Sequence, residues 1–309
     1  MHFAIIARVL GMLLIIFSLS MLTPVLVALL YGENTSHTFF IAFAITFLVG
    51  LIFWLPSRGS KGELRTRDGF VVTVFFWLVL SSFGSLPLML SEALQLNFID
   101  ALFESISGLT TTGATVIAGL DNLPKSILYY RQQLQWLGGI GIVVIAVAIL
   151  PMLGVGGMQI YRAETPGPMK DSKLTPRITE TANVLFRIYL CLTIACALAY
   201  WGAGMSGFDA ISHSFSTVSI GGFSTHDASI GFFDNSAIMA ICCFFMIIAG
   251  LNFALHFHAW HSLRPSMYWA DPEARLYLFL LLVGAIITCC YLYYSGTFDR
   301  NESIRQGAF

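Results

Sequence analysis

The stretch DALFESISGLTTTGA, residues 100–114, decides the fold, because its pattern returns as DAISHSFSTVSIGGF at residues 209–223. In each copy an Asp-Ala pair opens a serine-rich segment, and a glycine, Gly113 or Gly222, stands thirteen residues after the aspartate. Equal spacing of this kind indicates an internal repeat. Each copy is too short to cross a bilayer, and its Thr, Ser and Gly residues predict a short helix followed by extended backbone. Such backbone is tolerated at membrane depth only where it lines a water-filled path.

The composition of the whole chain indicates a membrane protein. Of 309 residues, 57% are hydrophobic and 11% are charged, and the mean hydropathy is +0.78, whereas soluble domains carry about 25% charged residues. We therefore expect an all-α polytopic protein surrounded by membrane lipid. The net charge of −1 gives no reason to expect a nucleic-acid partner.

Seven apolar runs have roughly the 20 residues that a membrane helix needs. They lie at about 4–30, 39–55, 70–90, 126–150, 183–204, 233–260 and 274–294.

The distribution of basic residues predicts the orientation of these spans. Segments 57–69 and 151–182 each contain four Lys or Arg residues, which places both in the cytoplasm by the positive-inside rule. The N-terminus is then cytoplasmic as well. The segment that follows the third span and the segment that follows the fifth must each start and finish outside. Both copies of the repeat lie in these segments, so we expect them to be re-entrant loops that enter from the outer face.

This topology divides the chain into repeated units of helix, re-entrant pore loop and helix, as in potassium channels. The predicted divisions are an N-terminal helix pair with a basic loop at 1–69, a first pore unit at 70–182, a second at 183–273, and the truncated start of a third at 274–309. The predicted pore helices and filters lie at about 98–109 and 110–114 in the first unit, and at about 208–218 and 219–223 in the second. In the third unit, Ala308 aligns with Ala101 as the opening of a short helix, so we expect the sequence to be part of a longer protein.

The chemistry of the two loops suits a cation. A pore must replace the hydration shell of an ion with oxygen ligands, and glycine permits the unusual dihedral angles that aim successive carbonyl groups at one axis. Thr111 and Thr112 can add hydroxyl oxygens, while Ile220 offers only its carbonyl. A short helix that runs inward also points its partly negative C-terminal end at the bilayer centre.

Four long motifs carry a resemblance to a known family. They are RDGF at 67–70, YRQ..QWLGGIGI at 130–142, AILPMLGVGGMQIYRAE at 148–164 and ISHSFSTVSIGGFSTHDAS at 211–229. With TTTGA and SIGGF in the loops, the chain resembles the Trk/Ktr/HKT superfamily of potassium transporters over essentially its whole length, and specifically the TrkH/TrkG branch.

The resemblance implies four pore units around one pore, two extra N-terminal helices, and no enzymatic activity. It implies potassium as the transported ion, bound in a filter to which this chain contributes Thr111, Thr112, Gly113, Ile220, Gly221 and Gly222. It further implies a homodimer in the bacterial inner membrane with a cytoplasmic nucleotide-binding regulatory subunit of TrkA type. The alternatives are a non-transporting fragment of such a protein and a membrane-embedded enzyme; the motifs HExxH and GxSxG, which would favour an enzyme, are missing from the sequence.

Five ionisable residues near the loops need an explanation, because charges at membrane depth are costly. Asp100 and Asp209 are expected near the N-termini of the short helices, where a carboxylate opposes the helix dipole; attraction of cations at the mouth is the alternative. Glu104 and His213 occupy the same place in the two copies, and their different chemistry argues against a shared ligand role. Arg131 either hydrogen-bonds carbonyl groups behind the filter or extends to the outer interface.

Overall fold

The computed structural model describes residues 3–59, 66–141, 178–262, 264, 266–296 and 298–308. These residues form α-helices and short 3-10 turns and contain no strand, so the predicted all-α class is confirmed. The first seven helices are α1 (Phe3–Ser20), α2 (Leu22–Tyr31), α3 (Ser36–Ser57), α4 (Thr66–Gly84), α5 (Leu86–Leu90), α6 (Phe98–Leu109) and α7 (Lys125–Gly139). The next seven are α8 (Ile178–Gly202), α9 (Gly207–Val218), α10 (Ser236–Ala249), α11 (Phe253–Ser262), α12 (Met267–Ala270), α13 (Pro272–Tyr294) and α14 (Arg300–Ala308).

Within the described residues, five helical stretches are long and apolar enough to cross a membrane, as expected of a multi-pass protein. They are Phe3–Tyr31, Ser36–Ser57, Val71–Leu90, Asn183–Gly202 and Pro272–Tyr294, and they correspond to five of the seven predicted spans. The first contains a turn at Met21 between α1 and α2.

The other two predicted spans differ from the structure. Helix α7 ends at Gly139, and residues 142–150 of the predicted span 126–150 lie outside the described residues. The predicted span 233–260 is wrong as a single helix, because α10 ends at Ala249 and α11 begins at Phe253. Gly250 stands at this break, and a Cβ there would overlap the hydroxyl of Tyr277.

Helix α7 lies between the two copies of the repeat. It packs against both of the short helices that precede the loops, α6 and α9. Tyr130 and Leu134 belong to an apolar core shared with α1, α3, α4 and α6, while Trp136 and Ile140 belong to a second core built on α8, α9 and α10. Residues on α7 can therefore contact both loops at once.

A third short helix, α14, begins earlier than the sequence predicts. The expected opening at Ala308 is wrong, since α14 spans Arg300–Ala308. The reason is capping chemistry: the Asp299 carboxylate accepts a hydrogen bond of 2.8 Å from the backbone N–H of Glu302.

Candidate functional site: two facing loops

The first loop, residues 110–114, begins with a tight turn at the end of α6. Thr111 adopts a left-handed backbone with φ 54°. The N–H of Thr111 donates to the Gly108 carbonyl at 3.0 Å, and the N–H of Thr112 donates to the Ser107 carbonyl at 2.9 Å. This pair of bonds is the Schellman motif, which satisfies carbonyl groups at a helix C-terminus.

The second loop, residues 219–223, repeats this turn at the end of α9. Ile220 has φ 54° and donates its N–H to the Thr217 carbonyl at 3.1 Å, and Gly221 donates to the Ser216 carbonyl at 2.8 Å. Both left-handed positions, Thr111 and Ile220, hold β-branched residues, for which this conformation is a genuine outlier. Strain of this kind is maintained only where the surrounding structure enforces it, and it concentrates at functional sites.

A glycine with positive φ stands two positions after the strained residue in each loop, and the two loops meet at these glycines. Gly113 has φ 77° and Gly222 has φ 86°, a region that glycine enters without steric cost. A Cβ on Gly113 would overlap the carbonyl oxygen of Gly221, whereas a Cβ on Gly222 would lie 4.0 Å from the Gly113 Cα. The six predicted filter residues therefore lie in two loops that touch at their glycines.

The first loop is held by a buried carboxylate on α6. Glu104 accepts hydrogen bonds from the Thr115 hydroxyl at 2.9 and 3.0 Å and from the Val116 N–H at 3.1 Å. The same carboxylate forms an ion pair of 2.7 Å with Arg131 on α7, and neither side chain is more than 1% exposed. Because each charge is costly alone in such a place, the pair explains how both are tolerated.

Arg131 also reaches the second loop. Its guanidinium donates to the Thr115 hydroxyl at 3.0 Å and to the Ser224 carbonyl at 3.3 Å, and it lies 4.4 Å from the centroid of the Phe223 ring. Of the two predicted roles, hydrogen bonding to a carbonyl behind the loops is the one that the structure shows. The sequence reasoning missed the partner Glu104, although two opposite charges in one apolar unit are a signal for pairing.

The second loop is held by a neutral side chain in the place of Glu104. His213 Nδ1 lies 2.9 Å from the Asp209 carbonyl oxygen, and Nε2 lies 2.9 Å from the Ser224 hydroxyl. Since a carbonyl only accepts, Nδ1 carries the proton, and in the neutral imidazole Nε2 then accepts from Ser224. Glu104 and His213 thus bind the residue two positions after the glycine in their own copies, Thr115 and Ser224.

Asp100 and Asp209 occupy the first turn of their helices, near the N-termini as predicted, and the N-cap lies three residues earlier. Asn97 accepts from the Asp100 N–H at 3.0 Å and Ser206 accepts from the Asp209 N–H at 3.1 Å. Each cap side chain in turn donates to the carboxylate at 2.7 Å, a reciprocal arrangement like the capping box.

A polar contact joins the segments that follow the two loops. The Asp227 carboxylate accepts from the Gly119 N–H at 2.9 Å, and His226 Nδ1 contacts Asp121. The hydrogen bond from His226 holds the pKa of the Asp121 carboxyl below its ordinary value of 3.8. The second imidazole nitrogen of His226 lies 3.5 Å from Asp209, so His226 is placed between carboxylates from both copies.

Comparison with known proteins decides the family. The sequence matches the family model described as TrkH, cation transport protein, over residues 35–293. The chain belongs to the TrkH family. This membership confirms the resemblance found in the motifs, and it argues against the alternative of a membrane-embedded enzyme.

Individual TrkH-family proteins are similar along the whole chain. The Trk system potassium uptake protein TrkH of Halomonas elongata is 57% identical over 310 residues, and its namesake in Escherichia coli K12 is 52% identical over 309 residues; each match covers 100% of this chain and 64% of the relative. The crystal structure of the potassium transporter TrkH from Vibrio parahaemolyticus matches with a TM-score of 0.87 and 49% identity, covering 100% of this chain and 63% of that one. The chain thus spans less than two thirds of the length of these TrkH relatives.

Proposed function

We propose that this chain supplies two filter loops to the pathway of a potassium uptake protein. In the proposal, backbone carbonyl groups of residues 110–114 and 219–223 replace the water around K⁺, with Thr111, Gly113, Ile220 and Gly222 at the centre of the site. The observation that carries the proposal is the paired left-handed backbone, φ 54° at both Thr111 and Ile220, in two loops that meet.

The electrostatics of the loops favour a cation. Helices α6 and α9 both end at the loops, so their partly negative C-terminal ends are directed there. The Thr112 hydroxyl lies 2.8 Å from that of Thr110, so one of the two is a donor and the pair still offers oxygen lone pairs. The nearby carboxylate of Glu104 is neutralised by Arg131 behind the first loop, which leaves neutral oxygens as the ligands.

The relatives support potassium as the cation, since the proteins from Halomonas elongata and Escherichia coli are named potassium uptake proteins of a Trk system. The proposal therefore includes the bacterial inner membrane as location, a cytoplasmic N-terminus, a homodimer, and a cytoplasmic nucleotide-binding subunit of TrkA type. It also includes the division into pore units at 70–182 and 183–273 with a third beginning at 274. Much of the basic segment 151–182, which is expected in the cytoplasm, lies outside the described residues.

The test is potassium uptake by a transport-deficient bacterial strain that expresses the complete reading frame containing this chain. Gly113→Ser is expected to abolish uptake, because a side chain there overlaps the Gly221 carbonyl and the residue has positive φ. Gly32→Ser is the matched control, since Gly32 also has positive φ, 67°, but a Cβ there meets nothing within 4 Å. The control should transport like wild type.

A second glycine sharpens the result. Gly222→Ser should reduce uptake less than Gly113→Ser, because Gly222 has positive φ but a Cβ there would come no closer than 4.0 Å to its nearest neighbour, the Gly113 Cα. Wild-type uptake by both variants, at normal protein levels, would show that these loops are not the filter. A wild-type reading frame that is made but gives no uptake would favour the alternative of a non-transporting fragment.

A further inference from the structure

The side chain of Gln135 bridges the second loop across its glycine. Its amide Nε2 donates to the Gly221 carbonyl at 2.6 Å, and its Oε1 accepts from the Phe223 N–H at 3.1 Å. Gln135 is fully buried, with 0% of its surface exposed. One planar amide thus holds the two peptide groups on either side of Gly222.

This contact explains why the second loop has two glycines in a row. A Cβ on Gly221 would fall within 2.7 Å of the Gln135 amide, so a side chain at 221 and Gln135 exclude one another. Gly221 itself has no positive φ, unlike Gly222. The corresponding residue of the first loop is Thr112, whose hydroxyl pairs with Thr110.

The two bonds also change what the Gly221 carbonyl can do. A carbonyl that accepts a buried hydrogen bond of 2.6 Å from an amide is already engaged by the protein, and losing that bond leaves a buried polar group unsatisfied. Gly221 is therefore better suited to fix the loop than to bind the ion. Its neighbours Ile220 and Gly222, both exposed, remain available.

Gln135 acts together with Arg131 on one face of α7. Residues four apart on a helix are neighbours, and Arg131 donates to the Ser224 carbonyl and to Thr115. The two side chains therefore contact the second loop at Gly221, Phe223 and Ser224 in succession. They come from α7, which follows the first copy of the repeat along the chain.

We propose that Gln135 is a positioning residue for ion selectivity: by clamping Gly221 and Phe223, it sets the separation of the Ile220 and Gly222 carbonyls that discriminate K⁺ from Na⁺. This inference rests on the proposed function. Selectivity depends on the field and spacing of the coordinating carbonyls, and the clamp limits how far the second loop relaxes around a smaller ion. Removing the Gln135 side chain should change the ratio of K⁺ uptake to Na⁺ uptake more than it changes the rate of K⁺ uptake itself.

The first experiment compares Gln135→Leu with Gln133→Leu in the complete reading frame. Gln133 is a buried glutamine of the same helix that donates to the Ser20 carbonyl at 3.0 Å and contacts neither loop in the described residues. For Gln135→Leu we expect the ratio of K⁺ to Na⁺ uptake to fall about tenfold, because both buried hydrogen bonds that hold the loop are lost. The Gln133→Leu ratio should match wild type. An unchanged ratio in a well-produced Gln135→Leu protein would overturn the proposal, as would an equal fall in both variants.

A second experiment does not depend on transport. Gly221→Ala alone should lower the unfolding temperature in detergent because its methyl group overlaps Gln135, and adding Gln135→Ala should restore part of the loss. If the loss of unfolding temperature in the double variant is no smaller than the sum of the losses in the two single variants, the clamp is absent and the proposal fails. If the two residues couple but Gly113→Ser still transports, the proposed filter is wrong while the contact stands, so the two failures are distinguishable.

Discussion

The two loops share a backbone but differ in the chemistry that holds it. In the first, a charged pair of Glu104 and Arg131 secures Thr115, whereas in the second a neutral imidazole, His213, secures Ser224. Both supports come from the same position of the short helix. The comparison teaches that the two loops share the position of the support and the residue that it binds, while the type of group differs between a charged pair and a neutral imidazole.

The difference between the supports predicts unequal costs of removing them. Glu104→Gln leaves the Arg131 guanidinium buried without a counter-charge, so the free energy of unfolding should fall by about 3–5 kcal/mol. His213→Asn keeps the site neutral and loses the hydrogen bond to Ser224. This loss should lower the free energy of unfolding by only about 1 kcal/mol. Thermal or denaturant unfolding of the purified protein in detergent measures both.

A double variant provides the control for this comparison. Arg131→Met added to Glu104→Gln removes the uncompensated charge, so the double variant should be less destabilised than the sum of the two single variants. Equal destabilisation by Glu104→Gln and His213→Asn would mean that the ion pair is not what distinguishes the loops.

The left-handed residue that both loops contain, Thr111 or Ile220, should respond equally to substitution by glycine in the two loops. A left-handed conformation costs an ordinary residue about 1–2 kcal/mol, and glycine avoids this cost but loses roughly 0.5–1 kcal/mol through its greater freedom when unfolded. We therefore expect Thr111→Gly and Ile220→Gly each to raise the free energy of unfolding by less than about 1 kcal/mol.

The neighbouring Thr110 is the matched control for these glycine variants. It has φ −84° and its hydroxyl donates to the Ile106 carbonyl at 2.7 Å, so Thr110→Gly should destabilise the protein. Destabilisation by Thr111→Gly as large as that of Thr110→Gly would show that the left-handed backbone at Thr111 is not strained. The same unfolding measurement in detergent decides between the outcomes.

Much of the fold follows from the sequence because hydropathy and periodicity are local properties. The apolar runs predict five of the spans. The repeated Asp-Ala and glycine spacing locates the two loops, because the left-handed positions 113 and 222 are occupied by glycine and can be read from the sequence. The break between α10 and α11 was missed because it depends on how closely Gly250 approaches Tyr277, a residue of another helix. Chain length and hydropathy carry no information about such an approach.

The supports of the loops were harder to predict for a different reason. Gln135 lies 86 positions before Gly221, and nothing in the sequence between them shows that the amide spans the loop. The clue was the glycine pair itself: only Gly222 needs a positive φ, so the presence of Gly221 required a second cause. Close approach of another side chain is the usual one.

The smallest effect is expected where the segments that follow the two loops meet, at Asp121 and His226. Asp121 is exposed, so solvent screens its contact with His226. Its pKa is lowered in the folded state by the hydrogen bond from His226, so its contribution to stability is present above the ordinary pKa of 3.8 and is lost as the pH falls through the lowered value. Asp121→Asn should therefore lower the unfolding temperature slightly at neutral pH, and the gap to wild type should close in acid. Asp227→Asn, which weakens the bond from Gly119, is the comparison within the same contact. A gap for Asp121→Asn that widens as the pH falls below 4 would reverse the sign of the linkage and contradict the assignment of this bond to the carboxylate.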